Sequence, residues 1–432
     1  MGGLNGNTGF GGVKSIANPP QGKRLMGNFN NIISRRSKQT LSAGDNRINT
    51  TTFNTIFQCP FKEFTAVRLI YGNLEASTFT VKSIIGVSAD VGTGGVSSSA
   101  KWTLPSNPGT ITNDGSTGWQ AVTYSGSATG TVPLKGTDTT QPGLLFSDWI
   151  PMTSLTPTNG ASRPFLVTRT IVPTGTTFTN LNHKTDTINK TYDNSVYCET
   201  FIASGDFVTT PASLSGGSNQ SVSPVVGVEF MVSSQIIRVL CVGDSITQGV
   251  DNTGGVTVDY YSWVQKAADI FYTANLPVSL INCGYSGATT TQIAAFGKLA
   301  INAHLPNMVF YPPFSPNDGT PTQALIDTQY RRAMDFANYA LSKNVLPVFM
   351  FLAPKDYSST DDAFRKALIA RCKSSGVAVC DMTTASGDGA TPERYQSGLN
   401  SDATHPNAAG YTAMAPVAVS TILDIINRNM SY

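Results

Sequence analysis

Residues 240–249 read Leu-Cys-Val-Gly-Asp-Ser-Ile-Thr-Gln-Gly, an apolar run that gives way to a Gly-Asp-Ser-Ile turn. A serine placed where a buried strand ends has its hydroxyl displayed at the sheet's edge, where a nucleophile is needed. Glycine, aspartate and serine also favour turns for conformational reasons alone, so Ser245 needs a second signal. That signal is Asp402-Ala403-Thr404-His405-Pro406, which sets a carboxylate three residues before a histidine. On a bent loop this spacing lets Asp402 hold the imidazole Nδ1–H and leaves Nε2 of His405 to take a serine proton. The chemistry implied is nucleophilic acyl transfer.

The chain has 3 histidines, so the candidate bases can be compared one by one. His183 lies in the polar stretch Asn182-His183-Lys184-Thr185-Asp186 and reads as a solvated loop residue. His304 follows the helical pattern Ile293 to Ala303, where a helix C-terminus can satisfy a cationic imidazole, so a structural role is expected. His405 alone has a partner acid and a proline that stiffens its loop.

Two further segments end in residues able to donate hydrogen bonds. The apolar run Val278 to Cys283 opens into Gly284-Tyr285-Ser286-Gly287-Ala288-Thr289, where glycine lets a backbone N–H point into a site. Met308-Val309-Phe310-Tyr311 leads into Pro312-Pro313-Phe314-Ser315-Pro316-Asn317-Asp318, and an asparagine amide there is a candidate donor to an oxyanion. Taken singly, these are a loop glycine and a turn asparagine.

The ordered set Gly243-Asp244-Ser245-Ile246, Ser286-Gly287-Ala288-Thr289, Asn317-Asp318 and Asp402-Ala403-Thr404-His405 resembles the SGNH (GDSL-like) hydrolases. The resemblance covers about residues 235 to 432. It implies that Ser245 is the nucleophile, His405 the base and Asp402 its orienting partner. It also implies an oxyanion hole formed by the Ser245 N–H, the Gly287 N–H and the Asn317 amide. Two positions depart from the family pattern: Ile246 stands where leucine is frequent, a volume-conserving change, and Ser315 stands where glycine commonly opens the asparagine block.

Elements that would position these residues follow from periodicity. Strand-like runs at Ile236–Val242, Val278–Cys283, Met308–Tyr311, Leu346–Leu352 and Val377–Cys380 alternate with helix-length segments at Tyr260–Ala274, Thr290–Ala303, Pro321–Ser342, Ser359–Ser374 and Asn407–Arg428. Such alternation predicts a three-layer α/β/α domain over 234–432, with a parallel sheet and, by the resemblance, a flavodoxin-like arrangement. In the last helix Tyr411, Met414, Ala418, Ile422 and Ile425 recur at helical spacing, so its packing would fix the loop that carries Asp402 and His405.

The first half differs in kind. Residues 1–45 are rich in glycine and asparagine with a basic cluster at Arg35, Arg36 and Lys38, and read as a flexible or partner-bound arm. No apolar segment of the signal-peptide type follows Met1. Over 46–233, short runs at Ala66–Tyr71, Thr78–Val87, Gly118–Tyr124, Phe165–Val172, Val196–Ala203 and Val225–Val232 are separated by turn residues such as Gly94-Gly95, Pro105 to Gly109 and Gly216-Gly217. That pattern predicts an all-β sandwich or jelly roll. Trp102, Trp119 and Trp149 would serve either as core or as a flat platform for sugar.

Charged residues are 13% of the chain and the formal net charge is +2, which argues against nucleic acid or an anionic membrane as main partner. The longest apolar run reads as too short to span a bilayer, and no CxxC, HExxH or clustered-histidine pattern indicates a metal or other cofactor. The 6 cysteines do not form a disulfide scaffold; Cys241 and Cys283 read as buried thiols, while Cys59 with Cys198 and Cys372 with Cys380 are the bridges left open.

The function expected is a serine esterase acting on an acylated carbohydrate, with O-acetyl the expected group. The low charge and polar arm also suit a bacteriophage tail spike or fibre working outside the cell or on the virion surface, a class that is commonly homo-trimeric. The alternatives are a carbohydrate-binding or virion adhesion protein with an inactive hydrolase-like domain, and a lipase or thioesterase for longer acyl chains.

Overall fold

In the computed structural model the residues described are 24–27, 38–40, 50–58, 64–73, 75–88, 119–136, 143–151, 165–173, 176–179, 198–206, 208–209, 218–219, 224–232, 236–253 and 262–430. His183, Trp102, Cys59, Arg35, Arg36 and the turns at 94–95, 105–109 and 216–217 lie outside them.

From residue 237 onward, β-branched and aromatic runs buried on both faces form five parallel strands: β1 (Ile237–Gly243), β2 (Val278–Gly284), β3 (Met308–Tyr311), β4 (Leu346–Phe351) and β5 (Ala378–Asp381). Their order is β2-β1-β3-β4-β5, all parallel. Helices connect them: α1 (Ser245–Gln248) and α2 (Trp263–Thr273) before β2, α3 (Thr290–His304) before β3, α4 (Gln323–Ser342) before β4, and α5 (Ser359–Lys373) before β5. After β5 come α6 (Thr383–Ser386) and α7 (Ala408–Met430).

Strand alternation divides the sheet's side chains between two cores. Val239, Cys241, Met308, Phe310, Val348 and Met350 face α2 and α7, whereas Leu240, Val242, Val309, Tyr311, Phe349 and Phe351 face α3, α4 and α5. This is the expected three-layer α/β/α arrangement. The strand order reverses direction at β1, and open sheets of this type bind ligands at that switch point, beyond the carboxyl ends of the strands.

Helix α7 carries the anticipated buried stripe: Tyr411, Met414, Ala418 and Ile422 are 0% exposed. One point differs from the sequence reading. Ala408–Arg428 is long and apolar enough, by composition, to cross a membrane, the one such helix among the described residues. Its stripe is packed on the parallel sheet, which accounts for the apolarity without a bilayer.

The residues before 233 are mostly antiparallel strands. One sheet runs Ser218–Asn219, Cys198–Ser204, Thr50–Gln58, Phe165–Pro173, Phe79–Ser88 and Trp119–Ala121, with Gly130–Val132 also paired to Phe79–Ser88. The other runs Arg24–Gly27, Val225–Met231, Ala66–Asn73 and Gly143–Phe146, with Ile150–Pro151 paired to Ala66–Asn73. The sheets share a core of Phe53, Leu69, Val81, Leu166 and Phe230, and a buried hydrogen bond from the Tyr71 hydroxyl to Ser83 Oγ (2.8 Å) ties one to the other. Two strands, Arg24–Gly27 and Lys38–Thr40, fall in the stretch read as an arm; backbone pairing to Val225–Met231 and to Thr177–Thr179 places them. The strand Ala66–Asn73 serves two cores, because Leu69 and Tyr71 turn into the sandwich while Ile70 joins Leu240, Val242 and Ile281.

Trp119 is 0% exposed, with the Arg169 guanidinium 4.7 Å from its ring centroid, so it is core. Trp149 is half-buried beside the Arg68 guanidinium at 4.9 Å. Cys241, Cys283, Cys372 and Cys380 are buried free thiols. A Cys372–Cys380 bridge is therefore ruled out: Cys372 packs in the α3–α5 core and Cys380 in the α2–α7 core.

Candidate active site

β1 delivers the first residue. Past Gly243 the chain turns at Asp244, whose carboxylate accepts the Ile246 N–H (3.0 Å) and so caps α1, leaving Ser245 as the first helical residue. The first N–H groups of a helix have no intrahelical acceptor. Ser245 is 4% exposed, and its N–H has no protein acceptor among the described residues. Asp244 is fully buried, which raises its pKa; the Ser315 hydroxyl, donating at 2.7 Å, works against that rise.

The loop after β5 brings His405 to the serine. His405 Nε2 lies 2.9 Å from Ser245 Oγ, and His405 Nδ1 lies 2.8 Å from Asp402 Oδ2. The other carboxylate oxygen of Asp402 accepts the backbone N–H of Thr404 (2.6 Å) and of His405 (2.7 Å). Partial burial pushes the Asp402 pKa up, but these bonds, with those from the His405 ring and Asn252, outweigh it and bring the value down to about 2. The carboxylate is thus held ionised as a hydrogen-bond acceptor.

α7 and the segment after α1 fix this loop between them. The Tyr411 hydroxyl donates to Val250 O (2.7 Å), the Ala408 N–H to Asp251 Oδ2 (3.2 Å), and the Asn252 N–H to Ser401 Oγ (3.1 Å). The Asn252 amide also donates to Asp402 Oδ2 (2.5 Å).

β2 brings Gly287. Ser286 is pinned by its N–H to Gln248 Oε1 (2.6 Å), and Gly287 follows with φ +79°, a backbone conformation that favours glycine. No protein atom stands within 4 Å of where a Gly287 side chain would begin, and its N–H has no acceptor among the described residues. Gly284 is required for the opposite reason: a Cβ there would sit 2.1 Å from the Gln248 backbone nitrogen.

The turn after β3 carries Asn317. Ser315 has an extended backbone (φ −126°), so glycine is not required there, and its hydroxyl links the turn to the buried Asp244. Asp318 ties the turn to α3 through the Thr290 N–H (2.9 Å) and to α4 through Gln329 Nε2 (2.9 Å). The Asn317 amide lies beside the glycine loop, donating to Ala288 O (3.1 Å) and Ser315 Oγ (3.2 Å). Any donation to an oxyanion therefore requires one of these two bonds to be exchanged.

Ser245, Asp402 and His405 are in this way connected in series, with Gly287 and Asn317 on neighbouring strand ends. His304 is elsewhere: it is 2% exposed at the end of α3. The expectation of a cationic imidazole at a helix C-terminus fails there, because burial foremost, and then the Arg238 charge, lower its pKa to about 3. Asn252, Gln248, Ser315 and Asp318 were not singled out as positioning groups, since polar residues in loops carry no periodic signal. Among the described residues no group of histidine, cysteine and carboxylate side chains is arranged to hold a metal.

Comparisons with known proteins bear on the same region. A putative lipolytic protein of the G-D-S-L family from Desulfitobacterium hafniense DCB-2 is similar at 22% identity, covering 43% of this chain and 98% of its own, with a TM-score of 0.36. A carbohydrate acetylesterase family member from Sinorhizobium meliloti is similar at 13% identity, covering 44% and 100%, with a TM-score of 0.37. A family 3 carbohydrate esterase from Clostridium thermocellum is similar at 18% identity, covering 45% and 98%, with a TM-score of 0.33. No curated protein matches the chain. Residues 241–413, which include both Ser245 and His405, match the GDSL-like Lipase/Acylhydrolase family, and this part of the chain is a domain of that family.

Proposed function

We propose that the domain over 234–432 is a serine esterase that removes acyl groups, O-acetyl foremost, from a carbohydrate, and that the β-rich residues 46–233 form an accessory domain beside it. The observation that carries the catalytic part is the pair of contacts at His405, 2.9 Å to Ser245 Oγ and 2.8 Å to Asp402 Oδ2.

In this mechanism His405 Nε2 takes the Ser245 proton as Oγ attacks the ester carbonyl, and Asp402 stabilises the resulting imidazolium. The negative charge on the former carbonyl oxygen is met by the Ser245 and Gly287 N–H groups, which have no other acceptor among the described residues, and by the Asn317 amide once it leaves Ser315 or Ala288. Return of the proton to the leaving alcohol gives an acyl-enzyme on Ser245. Water, deprotonated by His405, then releases the acid.

Support for a carbohydrate substrate is of another kind: low charge throughout, and a β-sandwich next to the catalytic domain. Work outside the cell or on a virion surface, in a homo-trimer, belongs to the same reading. Hydrolysis of acetyl, butyryl and octanoyl p-nitrophenyl esters is the test. Rates that fall with chain length, are abolished by Ser245→Ala, and are accompanied by phosphonate labelling of Ser245 agree with the proposal. Rates that rise with chain length indicate a lipase, and no turnover indicates a binding protein.

A further inference from the structure

We propose that Asn252 is a positioning residue of the triad, its side-chain amide holding the Asp402 carboxylate in line with His405. The inference rests on the catalytic roles proposed above for Ser245, His405 and Asp402.

Asp402 has two oxygens with different surroundings. Oδ1 is occupied by N–H groups of its own turn, those of Thr404 and His405. Oδ2, the oxygen that meets the imidazole at 2.8 Å, has one further donor, the Asn252 amide at 2.5 Å, and that donor comes from the other end of the domain. The Asn252 amide nitrogen is also 3.2 Å from His405 Nδ1. Oδ2 therefore sits as the acceptor common to two donors, and a rotation of the carboxylate that would release the imidazole breaks both bonds.

Asn252 is well anchored for this task. Its N–H is bonded to Ser401 Oγ, and its neighbour Asp251 accepts the Ala408 N–H at the start of α7 and the Thr253 N–H (2.8 Å). It lies seven residues after Ser245 on the stretch that follows α1, so nucleophile and amide are carried by one short segment while acid and base are carried by another. The amide bond joins the two segments at the atom that orients the base.

An amide is neutral and donates. It therefore holds the carboxylate at Oδ2 without competing for the proton that His405 takes up. Losing the Asn252 donor leaves the imidazole as the one partner of Oδ2 among the described residues and frees the carboxylate to turn, and replacing it with a carboxylate sets a second negative group against Oδ2 and drives that turn.

The test compares wild type, Asn252→Ala and Asn252→Asp, the last keeping the side chain's shape should the smaller residue disturb the loop. The His405 Nδ1–H proton that faces Asp402 is followed by NMR, a readout that needs no turnover. The expected result is faster exchange of that proton with solvent, by about 10-fold or more, in both variants, with kcat near neutral pH lower by about 10-fold and KM within about twofold of wild type. A wild-type-like Nδ1–H signal in Asn252→Asp, with melting like that of wild type, overturns the proposal. Faster Nδ1–H exchange in the variants of a protein inactive on every ester would sink the esterase reading and leave the Asn252 contact standing.

Discussion

Lowering the pH should unfold this protein partly through His304. The ring closes α3 at 2% exposure, and neither nitrogen has a hydrogen-bond partner among the described residues. Its folded pKa is about 3, against an unfolded value of about 6.5. Since the folded value is the lower one, the unfolded chain takes up the proton first. Stability is then lost as pH falls from about 6.5 toward 3. Between about pH 7 and pH 5 the linkage relation gives a loss of about 2 kcal/mol from this group alone. For a unit of about 200 residues that is about 4–8 °C in melting temperature. The assay is thermal melting of wild type and His304→Leu at both pH values, followed by far-UV circular dichroism. Other titrating groups act alike in the two proteins, and leucine removes no hydrogen bond there. The wild-type drop between the two pH values should exceed the variant's by about 4–8 °C. Parallel drops, within about 1 °C, would refute the assignment of His304 as a buried neutral ring.

Four further outcomes are expected. Asp402→Asn should cut kcat by about 10³-fold or more, because the amide cannot serve as the charged partner of the imidazolium; steady-state kinetics across pH will show it. In the wild type the same carboxylate, with its folded pKa near 2, contributes stability that is lost as pH falls from about 4 toward 2; its 35% side-chain exposure screens this to about 1 kcal/mol, measurable by acid titration. Asn317→Ala should lower kcat by about 10²-fold with little change in KM, and a rate within a few-fold of wild type would leave only the Ser245 and Gly287 donors. Gly284→Ala should cost about 1–3 kcal/mol on chemical denaturation and reduce activity with it, because the new methyl group meets the backbone of α1.

What was legible in the sequence follows from which forces leave local traces. The strands of the parallel sheet are buried on both faces, so they stand out as continuous apolar runs, and Met308–Tyr311 was bounded correctly from its four residues. Thr50–Gln58 was missed because it reads Thr-Thr-Thr-Phe-Asn-Thr-Ile-Phe-Gln; threonines and an asparagine stand where an apolar pattern would have marked it. Ser245, Asp402 and His405 could be singled out because they sit in short blocks with their own spacing, and the structure brings the three side chains into contact. Asn252 was not, since its partner lies 150 residues away and an asparagine in a polar loop looks the same with or without one. The environment of His304 was misread for a related reason. A helix terminus is visible in the sequence, but the side chains and the Arg238 charge that bury it are brought there by the fold.

Ser245 and His405 are separated by 160 residues, and the loop that carries His405 is tied at the start of α7 to the segment after α1. During synthesis, then, Ser245 leaves the ribosome long before the imidazole that contacts it. Under the esterase reading proposed above, the nascent chain would stay chemically silent until the last helix docks, and folding itself would act as the activation event.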